Sequence, residues 1–339
     1  MIKISIKDAQ IGMVAAEPIK TPLGQILALP GTPLTRQLIN KMKLYKVGSI
    51  SIQNPSYAAA PQAGENTAKR DKVKPVPKTR AHEMVTNIQR VQASEEFLGF
   101  QLKYLTCINQ IKDTFGKICA GEKSFDEAAL LTAVIDLSSS CGTTIETFDM
   151  LYNMRTIADP LYSHCLNVGL ITRMIGRWLH MEKTDVNTLT IAGVLHDIGK
   201  CKIPDDVLNK PDKLTDEEFA IMRTHAEKGG EIIKETFGHI GDGEYEKMAY
   251  EVARYHHEKW NGKGYPQGLA GEDIPLCARI MSVADVFDAV SAKRCYRDAM
   301  PLEQCFEIIE KGSGQDFDPD IAEVFLDMRE RIGQVVGAI

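Results

Sequence analysis

Short apolar runs broken by turn residues fill the first fifty positions: IKISI, GMVAAEPI, GQILALPGTPL and VGSISIQ. Alternation of apolar and polar residues over a few positions predicts half-buried strands, and the Gly and Pro between them predict turns. One stretch there, TRQLINKMKLYK, has the three- and four-residue spacing of a helix. Residues 1–53 are therefore expected to form a small α+β module. From Asn54 to Arg80 the pattern stops: Ala, Pro, Gly and Lys dominate, with almost no large apolar residue after Tyr57. Such a segment cannot bury enough surface to offset its ordering entropy, so residues 54–80 are expected to be a flexible linker.

Past Ala81 the period becomes helical. Leu98, Leu102 and Leu105, then Ile108, Ile111, Phe115 and Ile118, recur at three- and four-residue steps and predict one buried stripe. Ser124 and Glu127 have capping-box spacing before FDEAALLTAVIDL. Residues 81–142 read as a helical connector that packs on its neighbours or on a second copy of the chain, a candidate homodimer contact. From Thr143 onward helices alternate with loops. Thr215 and Glu218 repeat the capping-box spacing, and Asp318-Pro319 suits an N-cap and first-turn pair. Residues 143–339 are expected to be all-α, which makes the whole chain mainly α. No internal repeat of fixed period indicates a solenoid.

Composition narrows the function classes. At about 100–200 residues per domain, 339 residues suggest two or three domains. A net charge of −6 argues against a surface for polymeric nucleic acid, while a small anion remains within reach of local positive groups. No run approaches the ~18 apolar residues that span a bilayer, and MIKISIKDAQ lacks the apolar core of a secretory signal. A cytoplasmic location without membrane contact is the expectation. The 8 cysteines contain no Cys-x-x-Cys pair, so reduced thiols are expected, not a disulfide framework or zinc ribbon.

Candidate chemistry lies in the histidines. Seven of the eight follow residue 160, and five have purposeful contexts: His164, His196, His225, His256 and His257. His180 and His239 have none. Asp197, directly after His196, and Asp285, in SVADVFDAV, complete the set. Imidazole with carboxylate suits manganese, iron, zinc, nickel or cobalt, whereas magnesium and calcium favour oxygen shells. Seven ligands exceed the need of one tetrahedral ion and suit two ions sharing a bridging carboxylate. Adjacent helical residues diverge by about 100°, so His196 and Asp197 border one pocket without chelating side by side, and Asp197 is the expected bridge.

The ordered set resembles the HD superfamily of metal-dependent phosphohydrolases and, within it, the HD-GYP family of cyclic di-GMP phosphodiesterases. The matching text is LHDIGKCKIPDDVLNKPDKLTDEEFAIMRTHAEKGGEII, HHEKWNGKGYPQGLAGEDIPLCARIMSVADVFDAVSAKRCYR and GSGQDFDPDIAEVFL, within roughly residues 150–330. The resemblance implies an HD-type helical bundle around a metal pair or triplet, with His164, His196, Asp197, His225, His256, His257 and Asp285 as ligands. It places Lys200 beside the scissile phosphate and Arg294 and Arg297 as phosphate holders. Gly264, Tyr265 and Pro266 are the family's naming tripeptide, with either an architectural role or a contact to substrate or partner. Where some members carry a glutamate ligand for a third metal this chain has Pro160, beside Asp159, so two divalent ions, iron or manganese, are expected. Asn261-Gly262 replaces the usual Asp-Gly, and Cys295 a usual proline.

The implied reaction is hydrolysis of cyclic di-GMP to linear pGpG, with GMP as a further product, by a hydroxide bridging the metals; Lys200 neutralises the developing charge and Asp197 bridges. A mixed cyclic GMP-AMP ring presents the same phosphodiester. Two rivals are a non-catalytic cyclic-dinucleotide receptor and an HD nucleotidase acting on mononucleotides or alarmones; the run from His256 to Pro266 opposes the second. The N-terminal module is similar to segments that precede HD-GYP domains, in DAQIGMVAAEPI, PGTPLT and VGSISIQ, and leaves signalling protein partners as candidates.

Overall fold

A computed structural model describes residues 1–20, 26–35, 38–39, 42–43, 47–53, 94–122, 126–154, 160–237, 244–291 and 300–336. The expected linker and the positions Ser124, Asp159, His239, Arg294, Cys295 and Arg297 lie outside these residues. The chain divides into two compact units, Met1–Asn87 and Ile88–Ile339.

In the first unit, β1 (Ile2–Ser5) pairs antiparallel with β4 (Ser49–Ile52), Ile2 opposite Ile52 and Ser5 opposite Ser49. A second antiparallel pair joins β2 (Ile19–Lys20) to β3 (Ile26–Ala28). Leu38, Ile39, Met42 and Lys43 are helical, where the period of TRQLINKMKLYK predicts it. Ile50 and Ile52 point to one face of β4 and close on Ala15, Ile19, Leu34, Ile39, Met42 and Val47 in a small core.

The second unit is helical. Ser94 caps α1 (Glu95–Cys119), its hydroxyl accepting the Phe97 amide at 3.1 Å. Its buried face is Phe97, Phe100, Tyr104, Ile108, Ile111, Phe115 and Ile118, while Leu98 and Leu102 are 50% and 69% exposed. The expected stripe thus holds from Ile108 onward and is one position out of phase before it. The 97, 100, 104 series steps by three then four where 98, 102, 105 steps by four then three, both helical, and the first wins because two phenylalanines and a tyrosine bury more area than leucines. The cap of α2 (Glu127–Ser139) is Asp126, whose carboxylate accepts the Ala129 amide at 2.8 Å. Thr143 and Glu146 form a reciprocal capping box at α3 (Thr144–Met154).

The centre of the unit is α4 (Pro160–Trp178), α5 (Lys183–Leu195), α7 (Asp216–Phe237), α8 (Glu244–Tyr255) and α9 (Leu276–Ser291). Helix α4 packs on α5 and α9, and α8 packs on α7, α5 and α9. The short α6 (Asp205–Leu208) follows a 3-10 turn at Ile198–Lys202, and α10 (Leu302–Gly312), α11 (Pro319–Leu326) and α12 (Arg329–Val336) complete the chain. Thr215 and Glu218 exchange the expected capping hydrogen bonds, 2.7 and 3.3 Å, and Asp318 caps α11. The α1–α2 stretch is a layer of this unit: α1 packs on α4 and α2 on α5.

Helix α9 is buried along almost its whole length. Phe287 meets Phe148, Phe306 and Phe325 with ring centroids 4.8–5.7 Å apart, and the buried Arg279 pairs with Asp318 at 2.5 Å. These contacts fix the rotation of α9 and so aim Asp285 toward α4. No single helix among the described residues is long and apolar enough to cross a membrane.

Candidate metal centre

Five elements deliver seven side chains to one place. His164 comes from α4, His196 caps the C-terminus of α5, and Asp197 follows it. His225 projects from the middle of α7, His256 and His257 stand just beyond α8, and Asp285 comes from α9. His196 is still α-helical and the chain leaves α-geometry at Asp197 (φ −95°, ψ 12°), and the two border one pocket as expected. Both side chains then enter the same pocket, with Asp197 Oδ2 3.2 Å from His196 Nε2. The turn that follows presses on α7. A Cβ on Gly199 would lie 1.9 Å from the His225 carbonyl oxygen, so only glycine permits this approach. The tighter 3-10 winding still returns Lys200 to the pocket, its ammonium 2.5 Å from Asp197 Oδ2.

The two oxygens of Asp197 face different ligand groups. Oδ2 lies 3.2 Å from His196 and 3.7 Å from His164, and Oδ1 lies 3.4 Å from His225 and 3.9 Å from His256. His164, His196 and Asp285 offer ligand atoms within 4.8 Å of one another, and so do His225, His256 and His257. His164 Nε2 stands 3.0 Å from Asp285 Oδ1.

Hydrogen bonding on the far side of the rings orients the near side. Carbonyl oxygens accept from Nδ1 of His196 (Gly193, 2.7 Å), His225 (Met222, 2.7 Å) and His256 (Val252, 3.0 Å). A carbonyl only accepts, so each Nδ1 carries a proton and each ring turns its Nε2 inward; burial keeps His225 and His256 neutral, so their Nε2 lone pairs are bare. His196 Nε2 is buried with no hydrogen-bond partner, and the Nε2 atoms of His225 and His256 face each other at 3.3 Å. Converging lone pairs repel unless a cation lies among them. The donor set therefore fits divalent metal, with the outer-shell orientation that metal-bound imidazoles ordinarily have.

Electrostatics agree. Burial opposes charge on Asp197, but His196 and Lys200 outweigh it and hold the carboxyl well below the usual range. Asp285 is likewise ionised against its burial, chiefly by the hydrogen bond from His164. Burial opposes charge on His164 too, yet Asp285 and Asp288 raise it to about 9. Burial is the main cause lowering His225, His256 and His257, the last to about 3.

These shifts predict how chelator-treated protein responds to pH. The unfolded chain binds protons near pH 6.5 that native His225, His256 and His257 refuse, so stability is lost as pH falls below about 6.5. His164 acts oppositely: its contribution is complete below 6.5 and is lost as pH rises through about 9. Urea unfolding across pH 5 to 9 should give a stability maximum at about pH 6.5–7. Stability that keeps rising toward pH 9 would contradict a proton on His164.

Three nearby groups carry weak sequence signals. Asp288 accepts from His164 Nδ1 at 2.7 Å, and only its place one helical turn past Asp285 hinted at this. Cys165 is buried with its sulfur within 4.8 Å of His196 and Asp197 ligand atoms, and burial raises its thiol well above the ordinary value, which keeps it protonated. Glu258, 2% exposed, accepts the backbone amides of Gln267 (2.7 Å), Gly268 (3.1 Å) and Leu269 (3.1 Å), and so ties down the turn behind the paired histidines.

Within that turn a Cβ on Gly264 would lie 2.3 Å from the Lys259 amide nitrogen, so this glycine has an architectural reason. Asn261 Oδ1 accepts the Lys263 amide at 2.9 Å, an Asx turn that aspartate or asparagine makes equally well. Tyr265 leans on His257 at 4.7 Å between ring centroids, and the Arg223 guanidinium lies 4.5 Å from the Tyr265 ring. His257, with 29% of its side chain exposed, and Lys200, with 21%, are the open side of an otherwise closed site.

A family model described as HD domain matches residues 146–321. A curated protein from Vibrio cholerae, cyclic di-GMP phosphodiesterase, is 47% identical over 137 residues, which cover 40% of this chain and 28% of the relative. A second from the same organism, 3'3'-cGAMP-specific phosphodiesterase 2, is 34% identical over 201 residues, 55% of this chain and 38% of the relative. The chain thus spans well under half the length of these relatives. Among solved structures, Bd1817, a HDG"Y"P protein from Bdellovibrio bacteriovorus, matches with a TM-score of 0.50 at 13% identity, covering 97% of this chain and 99% of that one, a likeness of fold.

Proposed function

The chain belongs to the HD-domain family, in its HD-GYP branch, and from that premise we propose that it is a metal-dependent phosphodiesterase that opens cyclic di-GMP to linear pGpG. The observation that carries this reading is Asp197, whose two carboxylate oxygens turn toward two separate ligand triads. His164, His196 and Asp285 would hold one divalent ion and His225, His256 and His257 the other, with Asp197 placed to contribute to both. Bound there, two ions of iron or manganese supply Lewis-acid polarisation of the phosphate and a water acidic enough to ionise near neutral pH.

The chain's own groups do the rest. Gly193, Met222, Val252 and Asp288 fix the ring tautomers, so no reorganisation is needed when substrate arrives. The Lys200 ammonium stands at the open edge and donates to a non-bridging phosphate oxygen as charge grows there, where a preplaced cation is worth most. Arg294 and Arg297 join this reading as phosphate-binding residues on their sequence pattern. Tyr265, braced on His257, supplies an aromatic wall at the entrance.

A mixed cyclic GMP-AMP dinucleotide is a second substrate reading, favoured by the likeness to the cGAMP-specific protein of V. cholerae. Chromatography after incubating manganese- or iron-loaded protein, under reducing conditions, with each ring separately tests both. Linear pGpG from cyclic di-GMP is the expected product, and faster opening of the mixed ring would exchange the two readings. Recovery of both rings intact would leave a receptor and overturn the phosphodiesterase.

A further inference from the structure

We propose that Tyr104 is a positioning residue of the metal centre, acting on His164 through Asn167 and Asp288 from a helix outside the matched family region. The inference rests on the reading of His164 as a metal ligand. Tyr104 lies on the inward face of α1 and is 1% exposed. Its hydroxyl donates to Asn167 Oδ1 at 2.8 Å, the Asn167 amide donates to Asp288 Oδ1 at 3.0 Å, and Asp288 Oδ2 accepts the His164 Nδ1 proton at 2.7 Å. His164 Nε2 then looks toward Asp285 at 3.0 Å.

Asn167 turns its amide nitrogen toward Asp288 and donates to Oδ1. That leaves the Asn167 oxygen facing Tyr104, whose hydroxyl donates to it at 2.8 Å, a closer acceptor than the Ser163 carbonyl at 3.4 Å. A chain so ordered fixes the Asp288 carboxylate in the orientation that pins the His164 tautomer and ring plane. Asn167 and Asp288 also line a small cavity of about 10 Å³ together with Phe148, Leu151, Tyr152 and Ile171. Removing the Tyr104 hydroxyl gives Asn167 freedom to rotate, and Asp288 follows. The stretch read from sequence as a connector thereby supplies an outer-shell group to the site.

The test compares manganese affinity of the full chain, measured by competition with a chelating dye, in wild type, Tyr104→Phe, Asn167→Ala, the double variant and Ile111→Val. The last thins the same buried helix face without touching a polar group. Tyr104→Phe should weaken binding by about 10-fold, the low end of what loss of an outer-shell partner does. In the Asn167→Ala background it should change nothing further, and Ile111→Val should bind as wild type does. Unchanged affinity in Tyr104→Phe, additive losses in the double variant, or an equal loss in Ile111→Val would overturn the inference while leaving the metal site standing. Wild type that takes up no manganese would overturn the metal reading itself.

Discussion

Replacing Asp197 by alanine is expected to abolish hydrolysis, with turnover down by more than about 10³-fold, while the fold persists. The Asp197 oxygens approach both ligand triads closely, Oδ2 at 3.2 Å from His196 and Oδ1 at 3.4 Å from His225, whereas Asp285, itself in the first triad, comes no nearer than 4.0 Å to His257 in the second. On the proposed reading, loss of the Asp197 carboxylate would remove two ligand atoms at once and the negative charge that offsets two dications. It also frees Lys200 from a 2.5 Å ion pair. An uncompensated buried cation would be severely destabilising, but 21% of the Lys200 side chain reaches solvent, so the ammonium regains hydration. Circular dichroism should therefore remain native, and elemental analysis should find no more than one ion per chain. His196→Ala combined with Asp197→Ala should behave the same way, because turnover is already gone. Undiminished hydrolysis by either variant would remove Asp197 from the mechanism.

The second large effect is separate from metal binding. Lys200→Met keeps most of the apolar stem and deletes the charge, and kcat should fall by about 10²–10³-fold with two metal ions retained. The ammonium strengthens its interaction as negative charge accumulates on the phosphate, so the loss should appear in kcat more than in KM. Equal losses in kcat and metal content would mean that Lys200 serves only to hold Asp197 in place. An unchanged kcat would exclude it from the transition state.

The two variants differ in what the sequence could say about them. That Asp197 and these side chains converge was legible because residue type, order and local context survive in one dimension: an HD pair, an HH pair and an aspartate in an apolar run. Their assembly depends on features that spacing does not carry. The 3-10 turn after Asp197 returns Lys200 to the pocket that His196 and Asp197 border. Gly199 makes that turn possible, and its reason is visible only from the His225 carbonyl lying against it.

Orientation was the least legible property. Asp288 meets His164 across 124 positions and Tyr104 meets Asn167 across 63. Neither pair has a motif, and each is an ordinary helix residue until packing brings the helices together. On α1 the period alone allowed two phases, and larger aromatic area at Phe97, Phe100 and Tyr104 selected the one that places Tyr104 inward. The N-terminal strands and the caps at Thr215 and Asp318 were readable because their determinants are local.

The central claim is a pair of metal ions shared through Asp197. Elemental analysis of wild-type protein, reconstituted with manganese and freed of loosely held metal by gel filtration, tests it most directly. Two tightly held ions per chain are predicted. One ion or none would contradict the shared site, and three would contradict the reading of Pro160 as the loss of a further ligand.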